Sequence, residues 1–163
     1  MDIHTIRSGV RRIIEILLIL AMGLLVIDVL WGVVSRFVLG AQSRYTEELA
    51  TMLLIWVSLL GASLAYGSGQ HLGVDYFVGK LHPDAQGFMR IVVALVVIAF
   101  AGSVMVYGGT ILFGQTLASG QVSPAMGLKM GYVYLVVPIS GVLFILESLS
   151  MLSASGNEVG EEC

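Results

Sequence analysis

The chain has 163 residues and a formal net charge of −3; 57% of its residues are hydrophobic and 12% are charged. Soluble domains carry roughly 25% charged residues, so this composition indicates an integral membrane protein. The small net charge gives no basic stripe, which excludes a nucleic-acid partner. With one cysteine, Cys163, the chain can form neither an intrachain disulfide nor a paired-cysteine metal site.

Four apolar runs are each at or above the roughly 18 to 20 residues that a membrane-spanning helix requires. Because lipid offers the backbone no hydrogen-bond partners, runs of this length are expected to be helices. We therefore predict an all-α integral membrane protein, with residues 1–163 forming a single membrane domain. The predicted spans are about 13–35, 47–67, 88–114 and 124–152, followed by a disordered C-terminal tail at about 154–163.

The first apolar run is predicted to be retained as a spanning helix rather than removed as a signal peptide. It is too long for the apolar region of such a peptide, and no clear small-residue cleavage site follows it. Arg7, Arg11 and Arg12 precede it, and basic flanks favour the cytoplasmic side of a membrane. We therefore predict a multi-pass protein of the bacterial inner membrane with both its N-terminus and its C-terminus in the cytoplasm.

Residues 71–82, between spans two and three, have the apolar and polar alternation of a short amphipathic helix, which we expect at the membrane interface. His71 and Asp75 are four residues apart and can meet on one turn, which suggests a proton relay or half of a metal site. A metalloenzyme needs several converging ligands, and the apolar spans do not supply them. We therefore predict that the chain is not an enzyme and holds no cofactor.

Two proline positions bear on the fourth span. Ser123 followed by Pro124 has the pattern of a helix N-cap and first helical position. Pro138 lies in mid-span, where it removes a backbone hydrogen bond and is expected to kink the helix.

Two adjacent carboxylates, Glu47 and Glu48, stand at the start of the second span. The positive end of the helix dipole stabilises acids at this place by about 0.3–1 kcal/mol. Alternatively, one of them pairs with Arg36 or Arg44 across the short turn from span one, which would fix this hairpin or dock another subunit. Adjacent helical residues point about 100° apart, so both carboxylates cannot face one partner.

Asp28 lies well inside span one, where an ionised carboxylate costs on the order of several kcal/mol. An intramembrane acid is a candidate functional residue by default. The alternative is a protonated or hydrogen-bonded aspartate near the far interface, beside Trp31 and Ser35, where the cost falls as the group nears the headgroups.

One set of residues resembles a known family, the small membrane subunits of tripartite ATP-independent periplasmic (TRAP) transporters. The resemblance covers about residues 13–152. A looser part of it consists of Ser123-Pro124-Ala125, Tyr134 and Pro138. The more specific part consists of Arg36-Phe37, Thr46-Glu47-Glu48-Leu49-Ala50, Trp56, Gly61-Ala62 and His71-Leu72-Gly73-Val74-Asp75.

This resemblance implies a scaffold subunit of a sodium-coupled secondary transporter that imports an organic acid or acidic sugar. Its partners would be a large multispan permease subunit, which holds the substrate and the sodium, a transiently bound periplasmic solute-binding protein, and membrane lipids. The polar residues would then fix the positions of the helices and the contacts between subunits at the membrane interface, and would not be catalytic or substrate-binding groups. Those residues are Arg36, Arg44, Glu47, Glu48, His71 and Asp75.

An alternative interpretation is a self-sufficient, homo-oligomeric four-helix exporter in which Asp28 binds a cation or proton. In that case Asp28 should be essential for transport. In the scaffold interpretation the sequence of this chain does not name the transported substrate, because this subunit does not contact it.

Overall fold

The computed structural model describes residues 3–38, 40, 44–68 and 83–160. Within these ranges the regular structure is helical and no β-strand is formed. The helices are α1 (Ile3–Val38), α2 (Arg44–Gly67), α3 (Pro83–Phe100), a π-helical segment (Ala101–Gly108), α4 (Gly109–Ala118), α5 (Met130–Tyr134) and α6 (Val136–Gly160).

Four stretches of these helices are long and apolar enough to cross a membrane: Arg11–Val38, Arg44–Gly67, Ile91–Ala118 and Met130–Leu152. A helix satisfies its own backbone hydrogen bonds, which lipid cannot do. The predicted all-α class with four membrane spans is therefore confirmed. The amphipathic helix predicted at 71–82, with His71 and Asp75, lies outside the described residues.

The contacts divide the chain into two compact units. The first consists of Met1–Gly61 and Leu112–Val136, and the second of Ala62–Ile111 and Val137–Cys163. Each unit therefore combines segments far apart in sequence. The prediction of a single membrane domain remains a prediction.

Among the helix boundaries that differ from the sequence prediction, two concern span four. Span four begins at Met130 rather than near Pro124, because residues 123–127 form a turn instead of the first helical turn. Helix α6 continues to Gly160 and thus includes part of the predicted disordered tail at 154–163.

In the first unit, a short hairpin-like loop joins α4 to α5. The backbone N–H of Ser123 donates to the Leu128 carbonyl at 2.8 Å, and the N–H of Met130 donates to the Gln121 carbonyl at 2.9 Å. Val122 and Lys129 form an isolated antiparallel bridge between the same two arms. Inside the loop, Gly127 has a φ of +66°, a conformation that glycine adopts without steric cost. The turn is therefore closed by its own backbone.

In the second unit, the π-helical segment packs closely against the start of α6. A Cβ added at Gly141 would lie 2.7 Å from the Met105 Cβ, and one added at Gly109 would lie 3.0 Å from the Pro138 Cδ. Glycine at these two positions therefore permits the close helix approach, as small residues do in membranes. Within the π-helical segment, the Ser103 hydroxyl also donates to the Ala99 carbonyl at 2.6 Å, and such back-bonding tends to bend helices.

Pro138 lies near an interruption in span four. The assigned helix is interrupted at Leu135, between α5 and α6. A proline at 138 cannot donate a hydrogen bond to the carbonyl of residue 134, and its ring crowds that carbonyl. Pro138 thus explains why the helix is interrupted at this place. The kink predicted at Pro138 remains a prediction.

Candidate functional site

The carboxylate of Glu48 is held by the loop between α4 and α5. One of its oxygens, Oε1, accepts the N–H of Ala125 at 3.0 Å; the other, Oε2, accepts the same N–H at 3.1 Å and that of Met126 at 3.2 Å. The Ser123 hydroxyl also donates to Oε2. Glu48 thus lies in a concave set of donors of the kind that binds anions in proteins. We call Glu48, Ser123, Ala125 and Met126 the loop lock.

The local sequence of the loop explains why its donors are free to bind a carboxylate. Residues 123–127 form a turn, so the N–H groups of Ala125 and Met126 are not consumed by a regular helix. Ser123 is almost fully buried and also accepts the Met126 N–H at 3.3 Å through its hydroxyl oxygen. Hydrogen bonds to an ionised group are roughly twice as strong as neutral ones, so the loop lock ties α2 firmly to this connection.

The loop lock differs from what the sequence led us to expect of Glu47 and Glu48. Within the described part of the chain, neither glutamate forms an ion pair with Arg36 or Arg44. Glu48 points to the loop, whereas Glu47 lines a groove between α1 and α2 together with Arg36. The two adjacent side chains thus face different surroundings, as the 100° step between neighbouring helical residues requires.

The α1–α2 groove has a cavity volume of about 440 Å³. It is lined by Asp28, Gly32 and Arg36 of α1, which are spaced four residues apart on one helix face, and by Thr46, Glu47 and Thr51 of α2, among others. Asp28 is 9% exposed, and its Oδ2 atom has no hydrogen-bond partner among the described residues. The groove therefore places a buried carboxylate in mostly apolar surroundings.

A second buried polar cluster lies between α2 and α6. Ser148 donates a hydrogen bond to the hydroxyl oxygen of Tyr66 at 2.9 Å, and the Tyr66 ring lies 5.6 Å from that of Phe144. Glu147 is 8% exposed and lies against Gly67, where the Glu147 carboxyl group leaves no room for a Cβ. These contacts join the end of α2 to α6.

Of the six residues predicted to lie at the membrane interface, the structure describes four. Arg36, Arg44 and Glu47 are exposed, and Glu48 is half-buried in the loop lock. His71 and Asp75 are outside the described residues. The structural or subunit-interface role of all six remains a prediction.

Sequence reasoning missed several members of these sites. Ser123 was interpreted as a helix cap, although it donates to Glu48. Glu147 lies in the apolar run of span four, where an ionised carboxylate is costly for the same reason as at Asp28. The contact of Tyr66 with Ser148 had no local signal, because the two residues are 82 positions apart.

The described residues contain no group of three or more His, Cys, Asp or Glu side chains that could hold a metal ion. The polar groups instead join parts of this chain to one another, as in the loop lock and the Tyr66–Ser148 contact. This arrangement is that of structural contacts between helices, with Asp28 as the buried acid that these contacts leave out.

Comparisons with known proteins agree with the pattern of the described spans. The family model for tripartite ATP-independent periplasmic transporters, DctQ component, matches residues 25–155. A putative TRAP transporter small permease protein of Haemophilus influenzae is 31% identical over 134 residues, which are 82% of this chain and 81% of that protein. The sialic acid TRAP transporter small permease protein SiaQ of Vibrio cholerae is 23% identical over 152 residues, 93% of this chain and 86% of SiaQ.

A third similar protein is much longer than this chain. The isethionate TRAP transporter permease protein DctMQ of Oleidesulfovibrio alaskensis is 29% identical over 114 residues, which are 70% of this chain and 18% of DctMQ. The match over residues 25–155 and the relative at 31% identity define the family. The chain therefore belongs to the DctQ family of TRAP transporter small permease components, which are transporter subunits and not enzymes, as its sequence predicted.

Proposed function

We propose that this chain is the small scaffold subunit of a sodium-coupled secondary transporter that imports an organic acid or acidic sugar. A periplasmic binding protein would deliver the substrate, and a large permease subunit would hold the substrate and the sodium. The chain would stabilise that large subunit without contacting the substrate.

The loop lock is the observation that most directly supports the scaffold role. Both carboxylate oxygens of Glu48 accept hydrogen bonds from the 123–126 turn of the same chain. An acid bound in this way holds two parts of the chain in one arrangement and is not available to bind a transported solute. The arrangement favours a rigid support over a moving, substrate-binding element.

A large permease partner is supported by the surface of the spans. In the apolar 18-residue stretch of span one, only 6% of the residues are buried within the chain. In the corresponding stretch of span four, 28% are buried. The exposed apolar side chains of α1 need lipid or the helices of another subunit around them. The match to DctMQ, whose length is several times that of the matched region, supports a DctQ-like segment acting next to further permease segments.

The substrate class rests on the names of similar proteins. SiaQ is named for sialic acid and DctMQ for isethionate, both of which are organic anions. We propose the same general class here, and sodium coupling with it. The basic residues at the start of span one, Arg11 and Arg12, support cytoplasmic termini in a bacterial inner membrane.

A pull-down from native membranes tests the scaffold role. The tagged chain is solubilised in mild detergent, and proteins that co-purify with it are identified and quantified by mass spectrometry. We expect one large multispan permease at near-equal stoichiometry. Recovery of this chain alone, as a homo-oligomer, would contradict the proposal and favour the exporter in which Asp28 binds a cation or proton.

A transport assay tests the remaining parts of the proposal. The co-purified complex is reconstituted in vesicles with its binding protein, and uptake of radiolabelled sialic acid, dicarboxylates and isethionate is measured under a sodium gradient and under a matched potassium gradient. We expect uptake of one of these anions under the sodium gradient and not under the potassium gradient. Equal uptake under both gradients would contradict sodium coupling.

A further inference from the structure

Asp28 is a buried acid that takes part in neither the loop lock nor the contacts between α2 and α6. It is 9% exposed, and its Oδ2 atom has no hydrogen-bond partner in the described part of the chain. A buried polar group without a partner costs free energy, and an ionised carboxylate costs most. A group outside the described residues is therefore expected to supply a donor to Asp28.

Asp28 is one of the residues that line the α1–α2 groove, so such a donor would approach it from there. Asp28 and Gly32 lie on its α1 side, and Gly32 lets α2 approach closely, since an added Cβ there would lie 3.3 Å from the Thr46 Oγ1. Arg36 and Glu47 line the groove as well, and their charges are opposite. Asp28 therefore gives the lining of the groove a net negative charge when it is ionised.

The apolar side chains around the groove indicate the kind of occupant. Val29, Val33 and Phe37 line it and are 48%, 49% and 81% exposed. Membrane helices associate through apolar packing combined with polar groups that hydrogen-bond across the interface. An apolar rim around one buried acid fits a helix that carries a single basic side chain.

Two other occupants fit the groove less well. A lipid tail covers the apolar rim but offers Asp28 no donor. A bound metal ion needs several converging ligands, and the described residues contain no cluster of three or more His, Cys, Asp or Glu that could hold one. Charge complementarity therefore favours a cationic side chain on a partner helix.

We infer that the α1–α2 groove receives a transmembrane helix of the large permease subunit, with a Lys or Arg side chain of that helix paired to Asp28. This inference rests on the proposed function, because it requires the large subunit as a partner. It makes Asp28 an assembly residue of this chain and assigns the groove as the place of contact.

The first test measures how much large permease co-purifies with variants of the tagged chain. Asp28→Asn keeps the size of the side chain and removes its charge, and Asp28→Leu removes its hydrogen bonding as well. We expect the ratio of large to small subunit to fall about threefold to thirtyfold, the range that corresponds to interhelical hydrogen bonds in membranes. Asp28→Leu should show the larger loss.

Glu15→Gln is the matched control, because it removes a negative charge from the same helix outside the groove. Glu15 is exposed and pairs with Arg11 at 3.0 Å. This variant should retain the large permease at the wild-type ratio. Circular dichroism and yield in the membrane check that every variant is folded.

A second test identifies the partner side chain. Each Lys and Arg within the spans of the co-purified permease is replaced in turn by Gln. One replacement should reproduce the loss seen with Asp28→Asn and should add little to it in the double variant, as expected for two members of one pair. Fully additive losses for every replacement would overturn the pairing.

The outcomes separate this inference from the proposed function. If the wild-type chain does not bind a large permease, the proposed function fails first. If the wild-type chain binds it and both Asp28 variants bind equally well, the inference alone is overturned. It is also overturned if wild-type assembly requires sodium, potassium cannot replace it, and Asp28→Asn removes only this sodium dependence, since Asp28 would then be a cation ligand.

Discussion

Glu48 and Ala125 are joined through both oxygens of the glutamate, which accept the N–H of Ala125 at 3.0 and 3.1 Å. The two residues lie 77 positions apart, one near the start of α2 and the other in the turn before α5. This contact is the centre of the loop lock. It connects an acid of span two to the segment that leads into span four.

Replacing Glu48 by Gln tests the loop lock directly. Gln keeps the shape but has one acceptor oxygen, and its NH₂ group meets the N–H donors of the turn. Because hydrogen bonds to a charged group contribute about 1.5–3 kcal/mol each, we expect a clear fall in the thermal unfolding temperature in detergent. Trp31 and Trp56 provide the fluorescence signal for this measurement.

Glu47→Gln is the natural control for this variant, since Glu47 is adjacent in sequence, exposed and outside the loop lock. It should change the unfolding temperature little, because surface substitutions usually stay within about 0.5 kcal/mol. Equal destabilisation by both variants would show that the loop lock is not what stabilises this part of the chain.

A second prediction concerns Ser123. Ser123→Ala removes the hydroxyl that donates to Glu48 and that accepts the Met126 N–H at 3.3 Å. A hydrogen bond contributes about 0.5–1.5 kcal/mol to stability, so the variant should unfold at a lower temperature, and less large permease should co-purify with it. Ser119→Ala, which loses a local hydrogen bond to the Thr116 carbonyl at 3.0 Å, is the comparison and should behave nearly as wild type.

The third prediction is a coupling between Tyr66 and Ser148. Tyr66→Phe and Ser148→Ala each remove one side of the 2.9 Å hydrogen bond. The double variant should therefore be destabilised by less than the two single effects combined, with a coupling of about 0.6–1.7 kcal/mol. Chemical or thermal unfolding of the three variants measures it. Tyr107→Phe, at a tyrosine that is 68% exposed, should leave stability unchanged.

The fourth prediction concerns the close packing of span three against α6. Gly141→Ala places a Cβ 2.7 Å from the Met105 Cβ, too close without a shift of the two helices. Overpacking of this kind costs about 1–3 kcal/mol, so the unfolding temperature should fall.

Gly114→Ala is the counterpart of this variant, since nothing lies within 4 Å of a Cβ added there. Alanine has a higher helix propensity than glycine by about 0.8–1 kcal/mol, so this variant should be as stable as wild type or more so. If Gly141→Ala were equally well tolerated, the close approach would not limit this packing.

The sequence by itself determined the membrane class, the four spans and the family. These properties depend on the apolar length of each run and on local residue patterns, because a run of about 20 apolar residues in lipid has to form a helix. Asp28 was also found from sequence alone, since a carboxylate inside such a run stands out against its neighbours. The predicted starts and ends of the spans were less accurate where a turn competed with the helix, as at Ser123 and Pro124.

Only the tertiary structure decided which partners the polar residues have. The sequence left Glu48 between a helix-dipole role and a pair with Arg36 or Arg44, and the structure brings it to a turn more than 70 residues away. No local pattern encodes such a contact, because it depends on how the helices meet. The same holds for Tyr66 with Ser148, for Gly141 with Met105, and for the groove that leaves Asp28 without a donor from the described residues.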